Sequence, residues 1–340
     1  MKLLTANKCT AVATSGTALS SDYAVANALT DQPGQPWIDQ GGAVSTITLT
    51  CTLSANSDAF FLYNWLADTV EYSVNGGGAY TTLSSADENF VSDNLDSFLN
   101  SDILTKPNFT VVAMTSGNGL ILRFQTTVDR KDSQFSGNAI ANWDTDTGST
   151  GHFEDSSNAT INLNSHGRVL IGSHVDVGGV IHQVTKIIGD GTAAGAVTLS
   201  GSPIDGTVNS IKNPVKVGVV RVGTVETFNN ASIGLQQVFT DYSIRRRTLN
   251  GAIIPTNRNT GRIFTGQFSS SVSEANSFTA LSRAFRAKPV PVLVLNTMPS
   301  GDAEAFNYSS FVQFLEPPIQ TFGGSQGNLR ILNFRLKEIL

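Results

Sequence analysis

Residues 46–53 read TITLTCTL. Successive side chains of a β-strand point to opposite faces, so this octapeptide puts Ile47, Leu49, Cys51 and Leu53 on one face and four threonines on the other. A helix would scatter the same residues around its axis. The pattern demands a half-buried strand, and a chain that carries one must supply a sheet to hold it. The rest of the sequence agrees. AFFLYNW (59–65) reads as a buried strand. TVEYSVNGGGAYTTL (69–83) reads as a hairpin turning at Gly76–Gly78. NFTVVAMTSGNGLILRFQTTV (108–128) reads as a second hairpin, turning at Ser116–Gly119. DENFVSDNLDSFLNSDIL (87–104) fits a short helix or a long loop.

The chain has 340 residues, enough for two or three domains. Charged residues are scarce and Gly, Ser, Thr and Asn plentiful, which suits short strands joined by many turns. The polar stretch 141–165 reads as a loop or domain boundary. Beyond it, GRVLIGSHVDVGGVIHQVTKIIGDGTAAGAVTLSGSP (167–203) packs short strands around a tight turn at Gly178–Gly179, as a small barrel would. VKVGVVRVG (215–223) reads as a returning strand of the first unit. One segment, SVSEANSFTALSRAFRAKP (271–289), has helical spacing: Ser273 is placed to cap it, Phe278, Leu281 and Phe285 form its apolar stripe, and Pro289 stops it. VPVLVLN, SSFVQFLEPPIQTF and NLRILNFRLKEIL supply further strands. The expected fold is therefore mainly β. Residues 1–144 with 215–230 would form a β-sandwich of jelly-roll type, 165–214 a small inserted β-barrel, and 231–340 a C-terminal α+β unit with one helix on an antiparallel sheet.

Composition narrows function by exclusion. With 27 acidic and 22 basic residues there is no global positive field for nucleic acid. No apolar run reaches the roughly 18–20 residues of a membrane helix. The N-terminus lacks an apolar signal region and reads as a strand of the mature fold. There is no G-x-S-x-G, P-loop, H-E-x-x-H or dinucleotide fingerprint, and nothing marks a carboxylate pair for glycoside hydrolysis. The expectation is a non-enzyme without a cofactor. His152, His166, His174 and His182 read as strand histidines rather than metal ligands, since no Cys or Glu partner stands at zinc spacing. DTDTGSTGHFED partly matches a calcium loop through Asp144, Asp146 and Asp155. However, Gly148 falls one place early and no flanking helix is visible, so a solvated linker is preferred. Arg245, Arg246 and Arg247 form the one dense basic cluster. A strand would divide it between two faces, which suits the rim of a protein interface better than a nucleic-acid site. Cys51 reads as a small buried hydrophobe, with a disulfide to Cys9 as the alternative.

YAVANALTDQPGQPWIDQGGAVSTITLTCTL (23–53) resembles the opening of a galactose-binding-like, discoidin-type sandwich, through Asn27, Asp31 and Trp37. From Lys216 onward, the order of strands, helix and apolar strand is similar to tail and baseplate proteins of tailed bacteriophages, with 272–295 and FLEPPIQTF matching best. The resemblance implies a virion component of the tail tip or baseplate, made in the host cytoplasm. It also implies symmetric homo-oligomerisation, other tail proteins as partners, and contact with host-surface glycan as a second role. Trp37 then has two readings. It stacks on a sugar, with Tyr80 as a further stacking residue, or it plugs the end of the sandwich with its indole N–H satisfied locally. The plug is preferred. Tyr63 and Trp65, in or beside an apolar strand, read as core.

Overall fold

A computed structural model describes residues 1–5, 7–39, 46–76, 78–83, 109–127, 129, 139–144, 150–155, 171–188, 196–200, 205–229, 235–241, 244–247, 253–256, 260–286, 288–293, 309–323 and 329–339. The segment 87–104 lies outside these residues. The protein is mainly β. Before the barrel come β1 (Lys2–Thr5), β2 (Cys9–Thr14), β3 (Trp37–Ile38), β4 (Thr46–Leu66), β5 (Thr69–Val74), β6 (Thr81–Thr82) and β7 (Phe109–Gln125). Barrel strands follow: β8 (Ala139–Asp144), β9 (Thr150–Asp155), β10 (His174–Val177), β11 (Val180–Ile188), β12 (Ala196–Leu199) and β13 (Gly206–Lys212). Then come β14 (Lys216–Thr227), β15 (Gln236–Asp241), β16 (Ile244–Arg247), β17 (Ile253–Thr256) and β18 (Thr260–Ser271). The chain ends with helix α1 (Val272–Ala284), β19 (Val290–Leu293), β20 (Ser309–Phe314), β21 (Ile319–Gly323) and β22 (Leu329–Glu338).

Fourteen strands form one antiparallel sheet along the path β15-β18-β22-β20-β19-β1-β14-β4-β7-β5-β6, with β2 and β3 added beside β4 and β14 and β21 beside β22. Here the structure departs from an expectation of separate sandwich and α+β units. β1 pairs with β14 on one side and β19 on the other, so the N-terminal strand joins both halves into one hydrogen-bonded ladder. Strands β10-β11-β12-β9-β8-β13 close into a barrel. The chain leaves the sheet after β7, runs through the barrel and returns as β14, between β1 and β4. The barrel begins at Ala139 rather than near residue 165. The polar stretch read as a linker supplies the β8–β9 hairpin, in register from Ala139↔Asp155 to Asp144↔Thr150.

Two long strands explain a second difference. β7 is continuous through Ser116–Gly119, where sequence suggested a turn. Its partner β4 is longer still, and the pairing slips between Thr52 and Ser57 and again by Ala59. The glycines and serines mark irregularities within a strand, not its end. The slip changes parity. Before it, odd residues Ile47, Leu49 and Cys51 face the main core; after it, even residues Phe60 and Leu62 do. The opposite face carries Ala59, Phe61 and Tyr63, which pack with Leu4, Val219 and Phe311.

Asn64, whose φ is 53°, stands opposite Gly218 in a ladder that keeps its register on both sides. An added Cβ at Gly218 would stand 2.8 Å from the Asn64 Cβ, 2.9 Å from the Tyr63 carbonyl oxygen and 3.0 Å from that of Pro33. Asn64 Nδ2 donates to the same Pro33 oxygen at 2.6 Å. The close approach that only glycine allows thus lets the loop before Trp37 dock onto two strands.

Helix α1 lies on the inner face of the C-terminal strands. Ser271, not Ser273, is its N-cap, accepting from the Glu274 N–H at 3.2 Å. Phe278 meets Phe268 edge-on at 5.1 Å and Phe228 at 5.1 Å, in a core that also holds Phe264, Leu332, Phe334 and Leu336. On the same face of these strands, beside Phe264, a buried ion pair links β18 to β22. Arg262 Nη2 donates to Glu338 Oε1 at 2.5 Å, the Arg262 backbone N–H donates to Oε2 at 3.0 Å, and Ser310 Oγ donates to Oε1 at 2.6 Å.

Candidate functional site

Trp37 is 0% exposed. It sits in the main core, edge-on to Phe124 at 6.4 Å. A ring with no free face cannot stack on a sugar, so the glycan reading of Trp37 is corrected; its ring is part of the core. The structure also amends the plug reading, because the indole Nε1 has no hydrogen-bond partner among the described residues. The reason for its burial is remote in sequence. Two 3-10 turns, Ser21–Tyr23 and Val25–Leu29, precede the loop, and β3 then pairs with β14 through Val217↔Trp37 and Lys216↔Ile38. Tyr63 is likewise buried, and Trp65 packs partly buried against the main core.

Tyr80 is half-buried on the β5–β6 hairpin. The Arg123 guanidinium lies 4.0 Å from its ring centre. Arg123 is in turn held by Glu71, with Nε donating to Oε2 at 2.5 Å, and Thr82 Oγ1 donates to Glu71 Oε1 at 3.2 Å. One face of the tyrosine is therefore covered by a fixed cation.

The calcium candidates are separated by the register. Asp144 pairs with Thr150 at the turn end of the β8–β9 hairpin, whereas Asp155 pairs with Ala139 at the other end. Five residue steps at about 3.3 Å each set their backbones about 17 Å apart, too far to share one ion. Asp146 lies outside the described residues. Among the described residues no group of three or more His, Cys, Asp or Glu side chains is placed to hold a metal.

Arg245, Arg246 and Arg247 lie in β16, opposite Pro255, Ile254 and Ile253 of β17, in a two-stranded sheet apart from the main one. Cys9 and Cys51 are free and buried. His182 Nδ1 lies 2.8 Å from the Ser200 carbonyl oxygen. No described helix is long and apolar enough to cross a membrane.

Sequence reasoning gave no sign of the polar junction between barrel and sheet. The Asp39 N–H donates to the Val215 carbonyl at 3.0 Å. Gln183 Nε2 donates to the Asp39 carbonyl at 3.1 Å and to the Gly172 carbonyl at 3.2 Å, bridging sheet and barrel. His174 stands directly opposite Gln183 and so shares the barrel face turned to Asp39. Burial, and then the charge of Lys212, lower the His174 pKa below 6.5. Burial alone lowers Lys216, on the sheet side, to about 8. Gly172, with φ +90°, brings the barrel against Ile38 and Pro214; an added Cβ would lie 2.8 Å from Ile38 Cγ2. The two ends of the excursion also meet, since Asp129 Oδ1 accepts from the Ile211 N–H at 3.0 Å.

Among the described residues, the most exposed large apolar side chains lie on the C-terminal strands and in the barrel. β15 pairs only with β18 among the described strands and shows Val238 and Phe239, the latter 59% exposed. β21, paired with β22, shows Ile319 at 61% and Phe322 at 74%. At the barrel tip, Val180 and Ile181 follow the Gly178–Gly179 turn, whose two positive φ angles, 61° and 90°, fit a type I′ hairpin. No family model, curated protein or solved structure matches the chain.

Proposed function

We propose that the chain is a structural, non-catalytic component of a bacteriophage tail, at the tail tip or baseplate, that works by assembling with copies of itself and with other virion proteins. The observation that carries the assembly reading is β15. It is an edge strand among the described strands, and it shows an aliphatic and an aromatic side chain, one on each face. Soluble monomers usually blunt such edges with charge, proline or a covering loop. An unblunted edge fits a strand that is paired or covered in a larger particle. The C-terminal order of long strands, capped helix and apolar strand supports placing that particle among phage tails. The core packed around Trp37 supports the finer reading of the N-terminal strands as a galactose-binding-like sandwich.

Light scattering and negative-stain electron microscopy of the purified protein test the assembly reading. A discrete symmetric oligomer is expected, and Phe239→Glu should shift it towards monomer. A strict monomer that is also absent from phage particles by mass spectrometry overturns the proposal.

Contact with host-surface glycan is a second reading, favoured by Tyr80 alone, whose ring is braced from one side by Arg123. Tyr80→Ala should then abolish binding to host polysaccharide. Binding that survives the substitution, or no binding by the unaltered protein, counts against it.

A further inference from the structure

Cys9 and Cys51 come from neighbouring strands of one core. In the β2–β4 ladder Cys9 pairs with Leu53, the register then shifts, and Val12 pairs with Cys51. The two cysteines are therefore diagonal neighbours, two positions apart along β4, and both turn into the main core. The register shifts between Cys9 and Ala11, beside this pair, and each thiol shifts the ionisation of the other. Cys9 Sγ also donates to the Ala11 carbonyl at 3.4 Å.

Their surroundings distinguish the two. Hydrogen bonding from Cys51 lowers the Cys9 pKa, and the nearby Arg221 guanidinium acts in the same direction. Arg221 is itself fixed by an ion pair with Asp31. The hydrogen bond to Cys9 raises Cys51, and burial raises it further. Cys9 is the better thiolate and Cys51 the proton donor beside it.

We propose that Cys9 and Cys51 are a latent disulfide, closed by a small hydroperoxide. The Cys9 thiolate attacks one peroxide oxygen and the O–O bond breaks. Cys9 becomes a sulfenic acid, and the departing hydroxide takes a proton to leave as water. The Cys51 sulfur then attacks the Cys9 sulfur. The S–O bond breaks, and the displaced hydroxide leaves as a second water with the Cys51 proton. Two thiols and one hydrogen peroxide give one disulfide and two waters. The bond staples β2 to β4 and closes a loop of about 40 residues.

The test is native oxidation. The full-length protein is treated with hydrogen peroxide, quenched, unfolded, alkylated and weighed intact, and a non-reducing peptide map is recorded. The expected result is loss of two hydrogens, no alkylation at either cysteine, a crosslinked peptide joining residues 9 and 51, and reversal by dithiothreitol. The melting temperature of the oxidised form should rise by about 5 °C. Cys51→Ser should instead stop at oxygen addition on Cys9. Oxygen addition without a crosslink in the unaltered protein overturns the proposal. So does full alkylation of both cysteines after an exposure that oxidises a free thiol peptide. Neither result depends on the variant folding.

Discussion

The Tyr63 hydroxyl donates to the Ile339 carbonyl oxygen at 2.9 Å, across 276 residues of chain. Tyr63 lies in β4 and Ile339 just beyond β22, so the bond ties the strand beside the barrel insertion to the last strand of the sheet. Around it Phe61 stacks on Tyr63 at 5.8 Å, and Phe311 lies 5.4 Å from Phe61 and 5.5 Å from Tyr63. Three rings and one directional bond thus close the second face of the sheet. Tyr63→Phe keeps the rings and removes the donor, leaving the carbonyl without it. The expected loss is about 1–2 kcal/mol in urea unfolding, with an unchanged slope. Tyr63→Ala removes the packing as well and should cost about 3–5 kcal/mol. Equal losses for the two variants would mean that the ring contributes nothing.

The Arg262–Glu338 pair also ties two strands of the sheet, and both side chains are buried. A charge left alone in that position has no compensation. Glu338→Gln is therefore expected to destabilise by about 3–5 kcal/mol, whereas a double change to Met at both positions should come close to neutral. Denaturant unfolding of the two single variants and the double variant forms a complete cycle. Additive losses would show that the pair is not coupled.

A pH dependence follows from His174. Its folded pKa lies below 6.5, so between that value and 6.5 the unfolded chain binds more protons than the folded one. Stability therefore rises with pH across this window and is lost as pH falls below 6.5. The loss should concentrate at the barrel junction, where His174 faces Gln183 and Lys212. Hydrogen exchange at Val175, Val184 and Ile211 amides should accelerate on acidification before that at Leu62 or Leu122. His174→Gln should flatten the difference. Uniform acceleration across sheet and barrel would remove His174 as the cause.

Local features of this fold were legible because local chemistry decides them. TITLTCTL is a strand with its apolar face inward, the Gly178–Gly179 turn is where two positive φ angles are needed, and a helix ends before Pro289. The non-local features were not legible. Ser116–Gly119 has the composition of a turn, and only the matching slip in β4 turns it into an irregularity of a longer strand. β9 carries a single large apolar residue, Phe153, and turn-forming residues separate it from β8, so the stretch resembles a linker until ring closure with β12 and β13 supplies the partners. Trp37 was legible as a plug candidate, but its burial depends on β14, 180 residues later. The Gln183 bridge has no sequence signal, because a lone glutamine in a strand looks like any other.

The barrel is an excursion from the sheet whose ends come together at Asp129 and Ile211, and the returning Val215 is held by Asp39 beside β3. Such ends allow removal with little strain, because a short flexible bridge can span them. Replacing residues 131–210 by a Gly/Ser bridge retains the Asp129–Ile211 contact. It removes Gln183, His174 and Gly172, and with them the cover over Ile38 and Asp39. The remaining chain should unfold as one cooperative unit, because β14 still pairs with β1, β3 and β4. Its melting temperature should fall by a few degrees, as exposure of a small patch implies. Amides of β14 and β4 should stay protected from exchange, while those near Ile38 lose protection. If the barrel serves to contact a neighbour in an assembly, the deletion should weaken oligomerisation without unfolding the sheet. Loss of cooperative unfolding, or of protection in β4, would instead show that the barrel is part of the folding unit that holds the sheet together.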